Sequence, residues 1–483
     1  MKILFYNWAP FDDARKRGGG VTVYLFNLLR QLSTNSEIEC FFLSSGTEYT
    51  FDGKLRIEET GNQLEGKIRS FQIVNSPIHA PASLQFAKLN DYLRDISLYN
   101  LLDGFLTQQG EFDIIHFHNL EGLSVSVLKL KEKYSATKFV FSLHNYFLFC
   151  PQVNLWSPNG NCYLSPQFPD CSKCVASHAP QIESMIAALR KVLKVDRGGK
   201  QPKSMRALKK WANMLRSLSV DINKRQCNRC EARKETVTAS YSKYREENIA
   251  AVNQYTDLVL AVSEKVAKIA EEYGIAPSKI VVNYIGSQAA SAALPIRKKI
   301  GDSLRIGYMG YARTDKGFDA LLQALEEVPT KIASKITLIL AAKCENERIF
   351  NYYSQKVETL KNRFDGVSFF NGYTKEEQEQ LMKQIDLGIV PPLWEDNLPQ
   401  VAIEFVAHGI PILTSDAGGA NELCTNKQFV FKSVEAKDLR DKIMYFAESP
   451  ERVNSFWEMP CKLKKMDEHI TELVDLYRGL LRS

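Results

Sequence analysis

No apolar run in the 483 residues approaches the ~18 that a membrane-crossing helix needs. Residues 1–7 are too short for the apolar core of a secretory signal, so the chain is expected to be cytosolic and unspanning. Compositional bias is absent as well. At 45% hydrophobic and 24% charged, the chain is long and apolar enough for two to three real cores, which excludes disordered, collagen-like and miniprotein classes. An excess of one charge sign is also lacking: 62 basic against 56 acidic side chains leave +6, too little over this length to imply nucleic acid. The distribution is uneven, however. Residues 190–234 carry 15 Lys/Arg against three acids, a local +12, so the remainder stands near −6.

What is present is an alternation of short apolar runs and helical patterns. Residues 2–7 read as a buried parallel strand, followed by a loop ending in Gly18-Gly19-Gly20 and a helical pattern over 21–29. Further strands are expected at 113–118, 138–144 and 258–263. After a small-residue linker at 287–295 they recur at 304–309, 336–341, 367–370, 387–390, 410–414 and 428–431, with a helix at 318–325. The pattern predicts an α/β protein of two Rossmann-like doubly wound domains facing a cleft, where such folds bind ligands. Residues 1–290 would form the first domain, with a cysteine-containing basic helical insertion at about 150–240, and 300–455 the second. An amphipathic helix at 465–483 would pack back on the first domain.

The densest constellation runs from Trp394 to Pro411. Pro399 suits a first helical position, while Gly409 and Pro411 suit a stop, which predicts a helix over 399–408. Its start would present the amides of Leu398, Gln400 and Val401 to the cleft, where the positive end of the helix dipole attracts a pyrophosphate. Glu404 can accept hydrogen bonds from vicinal hydroxyls such as a ribose, and Asp396 can meet the group attached to the phosphates. A second cluster follows the first strand of the second domain. There Arg313 and Lys316 offer two cations for the charge of a departing nucleotide diphosphate. Taken singly, each cluster also reads as an ordinary capped helix or a solvated basic turn.

Together these residues resemble the retaining glycosyltransferases of the GT-B fold, specifically glycosyltransferase family 4, also called glycosyltransferases group 1. Gly18-Gly19-Gly20 resembles the family's N-terminal glycine loop. Residues 113–119, Asp-Ile-Ile-His-Phe-His-Asn, resemble one strand end and His144-Asn145-Tyr146 another. Lys316-Gly317, the E-x7-E spacing of Asp396 and Glu404, and Gly418-Gly419-Ala420-Asn421-Glu422 complete the series. The resemblance implies Lys316 on the donor phosphates, Glu404 on the ribose, Asp396 on the donor sugar, Gly19 and Gly20 at the diphosphate and His118 at the reacting centre. The sequence departs at two places: Tyr311 follows Gly310 where the family has arginine, leaving Arg313 displaced, and Asp396 stands for glutamate with Glu395 beside it.

The implied activity is metal-independent transfer of a sugar, with retention, from a nucleotide-diphosphate sugar to a glycan or lipid-linked saccharide. No D-x-D triplet occurs to anchor a metal as in the other major glycosyltransferase fold, and no cofactor is required. Two alternatives stay open: a sugar-nucleotide 2-epimerase on the same fold, and a non-catalytic binding or scaffold protein with a decayed site.

Six of the ten cysteines fall within 81 residues. Cys171, Cys174, Cys227 and Cys230 form two C-x2-C pairs that make a structural zinc site if they meet. Cys150 and Cys162 offer a competing set with Cys171 and Cys174, and small unpaired core residues are the alternative. Within the basic stretch, Met205, Leu208, Trp211, Leu215 and Leu218 recur at helical spacing among Arg206, Lys209, Lys210 and Arg216. That pattern reads as a surface at 203–220 for anionic lipid, holding the protein peripherally on the inner face of a membrane, or as a helix packed on the first domain.

Overall fold

The computed structural model describes residues 1–13, 17–64, 66–82, 89–157, 160–164, 171, 174, 180–192, 231–291 and 300–482. The expected lipid-facing surface at 203–220, together with Cys227 and Cys230, lies outside them.

Two sheets organise the chain. The N-terminal sheet has the order β10-β9-β6-β5-β1-β2-β4-β3. Its strands are β1 (Lys2–Tyr6), β2 (Glu39–Glu48), β3 (Arg56–Gln63), β4 (Ile68–Val74), β5 (Ile114–Phe117), β6 (Lys138–Leu143), β9 (Leu258–Ala261) and β10 (Ile280–Val282). All pairs are parallel except β3 with β4. A short hairpin, β7 (Trp156–Ser157) with β8 (Gly160–Asn161), stands apart. The C-terminal sheet is parallel throughout, in the order β13-β12-β11-β14-β15-β16. It comprises β11 (Leu304–Tyr311), β12 (Ile336–Lys343), β13 (Gly366–Phe370), β14 (Leu387–Val390), β15 (Ile412–Ser415) and β16 (Val430–Phe431). Central strands such as β5 and β14 are buried on both faces, which is why they read as continuous apolar runs rather than alternations.

Six helices position the site: α1 (Gly19–Leu32), α2 (Glu264–Glu272), α3 (Phe318–Glu326), α4 (Lys375–Met382), α5 (Gln400–Ala407) and α6 (Met466–Arg482). Helix α1 buries Tyr24, Leu25, Leu28, Leu29 and Leu32, a 3.6-residue stripe that covers the N-terminal sheet. Helix α6 follows the C-terminal sheet yet packs on the N-terminal one. Its His469 Nε2 lies 2.7 Å from Tyr24 Oη, and its Tyr477 Oη lies 2.6 Å from His116 Nδ1. Just before it, Lys464 O accepts from Ser287 N at 3.0 Å.

The two halves touch through polar groups at the carboxyl ends of their strands. Ser263 Oγ donates to Asn397 O at 2.8 Å, and Asn397 Nδ2 donates to Leu143 O at 3.3 Å. Tyr284 Oη donates to Glu422 Oε2 at 2.6 Å.

Candidate active site

Lys316 stands in the loop between β11 and α3, positioned by Gly317. That glycine has φ +75°, and a Cβ there would lie 1.7 Å from Pro391 O, so no side chain fits against the loop leaving β14. Lys316 Nζ therefore reaches the loop after β14, 2.5 Å from Asp396 Oδ2 and 4.8 Å from the centre of the Trp394 ring. Both cation–carboxylate and cation–aromatic attraction hold the ammonium there.

Asp396 is followed by Pro399, and α5 starts at Gln400, in line with the helix expected at 399–408. Ala402 N and Ile403 N both bond Pro399 O, so the amides of Gln400 and Val401 precede the helical ladder. Leu398 is buried beside them. Directly across lies the glycine loop: a Cβ on Gly20 would fall 2.8 Å from Gln400 Cγ. The starts of α1 and α5 thus meet across the cleft, two positive helix ends side by side. Gly18 is equally constrained, since a Cβ there would clash with Thr22 Oγ1 at 1.8 Å.

Glu404 lies on the second turn of α5, where its Oε2 accepts from Gln378 Nε2 of α4 at 2.5 Å. Burial pushes its carboxyl above the ordinary range, with Gln378 and Lys375 opposing the shift. Tyr373 neighbours it electrostatically. Gln378 and Tyr373 had no sequence signal, because both reach Glu404 from a loop and helix more than 20 residues upstream.

The structure separates the two expected cations. Arg313 forms a bidentate pair with Asp315, Nε to Oδ1 at 2.9 Å and Nη2 to Oδ2 at 2.6 Å, rather than joining Lys316. Tyr311, in the family's arginine position, is 51% exposed. Glu395, the neighbour of Asp396, turns away from Lys316 and is buried against Lys265, 3.2 Å from its Nζ.

His118 has no exposed surface. Its Nδ1 lies 2.9 Å from His144 Nε2, and its ring stacks on Phe5 at 6.0 Å. His116 is fixed at both nitrogens, by Tyr477 Oη and by Ser142 Oγ at 2.7 Å. Burial holds both rings well below the usual histidine value, and takes His144 and His469 down to about 3. Of the three histidines expected at these strand ends only His144 is partly exposed; His469, which closes the group from α6, carried no motif.

Several polar atoms around this region lack a hydrogen-bond partner among the described residues: Thr22 Oγ1, His118 Nε2, Tyr146 Oη, Trp394 Nε1 and Asn397 Oδ1. Buried polar atoms are normally paired. Of these, Trp394 stands against Lys316, Asn397 follows Asp396, and the Tyr146 ring lies 6.3 Å from the Trp394 ring, so unmet bonding capacity adjoins the pair.

Of the main cysteine set, Cys227 and Cys230 lie outside the described residues. Among the described residues no three His, Cys, Asp or Glu side chains converge to hold a metal ion. The alternative set of Cys150, Cys162, Cys171 and Cys174 is therefore not arranged as zinc ligands. Cys171 Sγ instead accepts from Arg245 Nη1 at 3.3 Å, and burial pushes Cys150 up to about 12. The described residues also contain no helix long and apolar enough to cross a membrane.

Comparison with known proteins agrees with this geometry. The family "Glycosyl transferases group 1" matches residues 294–459, the C-terminal sheet and its helices. Over 117 residues, 24% of this chain, the sequence is 26% identical to the spore coat protein SA of Bacillus subtilis (strain 168), and the match spans 31% of that protein. Among solved structures, HepE of Anabaena in complex with UDP and glucose superimposes with TM-score 0.56 at 14% identity, covering 99% of this chain and 100% of that one. Sucrose-phosphate synthase from Thermosynechococcus elongatus gives 0.58 at 14% identity, covering 100% and 99%. The α,α-trehalose-phosphate synthase (UDP-forming) from Burkholderia xenovorans, in complex with glucose-6-phosphate, gives 0.55 at 13% identity over the whole of both chains. At these identities the likeness is one of fold, and the fold is GT-B.

Proposed function

We propose that this protein is a glycosyltransferase that moves a sugar, with retention, from a nucleotide-diphosphate sugar to a glycan or lipid-linked saccharide. The observation that carries this reading is the Lys316–Asp396 pair, whose aspartate comes just before α5 in the chain, and the start of α5 meets that of α1. One fixed ammonium and two positive helix ends suit a diphosphate and the charge that grows on it as it leaves. The C-terminal half, 300–455, would bind the donor. Lys316, with the amides of Gln400 and Val401, would take the phosphates, Glu404 the ribose hydroxyls and Asp396 the sugar. The N-terminal half, 1–290, would carry the acceptor, with Gly19 and Gly20 at the diphosphate.

In the transfer step the bond between the anomeric carbon and the phosphate oxygen breaks and its electron pair leaves with the diphosphate. The acceptor oxygen then bonds to the same face of that carbon, and its proton passes to the departing phosphate oxygen. Neither a cofactor nor a strong protein base is needed for this balance. His118 would serve the reacting centre through His144, its partly exposed neighbour.

A panel of UDP-, GDP- and ADP-sugars, with nucleotide release as readout, tests the reading. Turnover that persists in wild type and falls steeply in Lys316→Ala and Glu404→Ala is expected. Full activity in Glu404→Ala would falsify the site assignment. Epimerised free nucleotide sugar without any acceptor requirement would favour the epimerase, and no turnover at all the scaffold. For a lipid-linked acceptor, flotation with anionic vesicles should depend on Arg206, Lys209, Lys210 and Arg216; binding unchanged by neutralising all four would remove the membrane from the reading.

A further inference from the structure

We infer that Glu395 and Lys265 are positioning residues that hold the two halves together over the candidate site. Glu395 is 1% exposed, and its carboxylate takes three donors. Lys265 Nζ lies 3.2 Å from Oε2, Gly418 N donates to the same oxygen at 2.8 Å, and Asn161 Nδ2 donates to Oε1 at 3.0 Å. Lys265 and Asn161 belong to the N-terminal half, whereas Glu395 and Gly418 belong to the C-terminal half.

Lys265 is gripped a second time. It lies in the first turn of α2, where the amides of Glu264 and Lys265 donate to the Glu422 carboxylate at 2.9 and 2.8 Å. One C-terminal carboxylate thus holds the lysine's ammonium, and another caps the start of its helix, where negative charge is favoured. The ammonium also sits 4.8 Å from the centre of the Tyr163 ring.

The clasp is joined to the site by the chain itself. Asp396 follows Glu395 directly. Its carboxylate pairs with Lys316, and its carbonyl accepts from Gly419 N at 2.8 Å, while Gly418 is bound to Glu395. Any opening that pulls Lys265 from Glu395 leaves a buried carboxylate short of its counter-charge, which is costly. Closure of the cleft and placement of Asp396 therefore rise and fall together.

The consequence for turnover rests on the transferase reading, whereas the clasp itself does not. Because closure places Asp396 and brings the Gly19–Gly20 loop to the donor, loosening the clasp should lower kcat by roughly tenfold, the size of a modest coupling between sites. Small-angle scattering of the ligand-free full chain reads the clasp directly. Lys265→Met and Glu395→Gln should enlarge the radius of gyration, and Lys265→Arg should keep the wild-type value and restore kcat. Because Lys265 is partly exposed, its variants should fold even if Glu395→Gln does not. An unchanged radius in Lys265→Met, or a kcat in Lys265→Arg as low as in Lys265→Met, overturns the inference. If wild type turns over no nucleotide sugar, the transferase reading fails, and the scattering comparison still decides the clasp.

Discussion

Lys316 and Asp396, 80 residues apart in sequence, meet at 2.5 Å against the ring of Trp394. In this pair the lysine's charge is already committed in the absence of donor. On the proposed reading, an incoming diphosphate would share the ammonium with Asp396 and release that carboxylate toward the sugar. Lys316→Ala should lower turnover by about 10²–10³-fold, as loss of one pre-placed electrostatic group commonly does. Nucleotide release under saturating donor checks this.

With Glu404 on the ribose, as proposed, donor binding should depend on pH. Burial raises its carboxyl, so it loses its charge at a higher pH than an ordinary glutamate as the solution is acidified. Affinity for a nucleoside diphosphate should fall as pH drops through that raised value, while Glu404→Gln should bind more weakly but without this slope. Stability runs the opposite way. The folded state holds this proton more tightly than the unfolded chain, so the contribution is fully present below about 4.3, the ordinary glutamate value, and is lost as pH rises through the folded one. Glu404→Gln should accordingly raise the thermal midpoint at neutral pH while weakening donor binding. Calorimetric titration and thermal melts across pH measure both.

The buried histidines set an acid limit. His144 and His469 are held near 3 by burial, against about 6.5 in the unfolded chain. The unfolded state therefore binds more protons between these values. Stability is fully present above about 6.5 and is lost progressively as pH falls toward 3. Replacing His469 with leucine should flatten that slope, at the cost of the bond to Tyr24. Denaturant midpoints between pH 7 and pH 4, compared with wild type, would show it.

Gly317 admits no side chain. With positive φ and Pro391 O in the way, Gly317→Ala should destabilise the C-terminal half by more than about 2 kcal/mol, the range of strained backbone combined with a steric clash. Scanning calorimetry provides the measurement.

Much of the C-terminal half was legible because its strands are short apolar runs separated by helical patterns. The expected 387–390 matches β14, and 304–309 differs from β11 only by two residues at its end. In the N-terminal half β2 and β4 give no such signal. The run ECFFLSSGTE does not alternate, and it is buried on both faces only because neighbours from elsewhere cover it. The strand β3, RIEETGNQ, is polar and sits at the sheet edge, where solvent accepts such residues. At the site, Lys316, Asp396 and Gln400 sat in local motifs that the fold brings together. The pairing of Arg313 with Asp315 was hidden, since a charge two residues away in a loop gives no sign of whether the two side chains will face one another. The burial of His118 was hidden too, because it depends on Tyr24 and on a helix more than 300 residues later.

That late helix bears on how the chain is made. His116 and Tyr477, bonded at 2.6 Å, are 361 residues apart. At ~5–20 residues per second, their synthesis is separated by on the order of 20–70 s. Throughout that interval His116 and Tyr24 await the partners that α6 brings, while the entire C-terminal sheet is being produced. The first half to leave the ribosome is thus the last to be completed, and it stays open to chaperones until the α6 segment emerges.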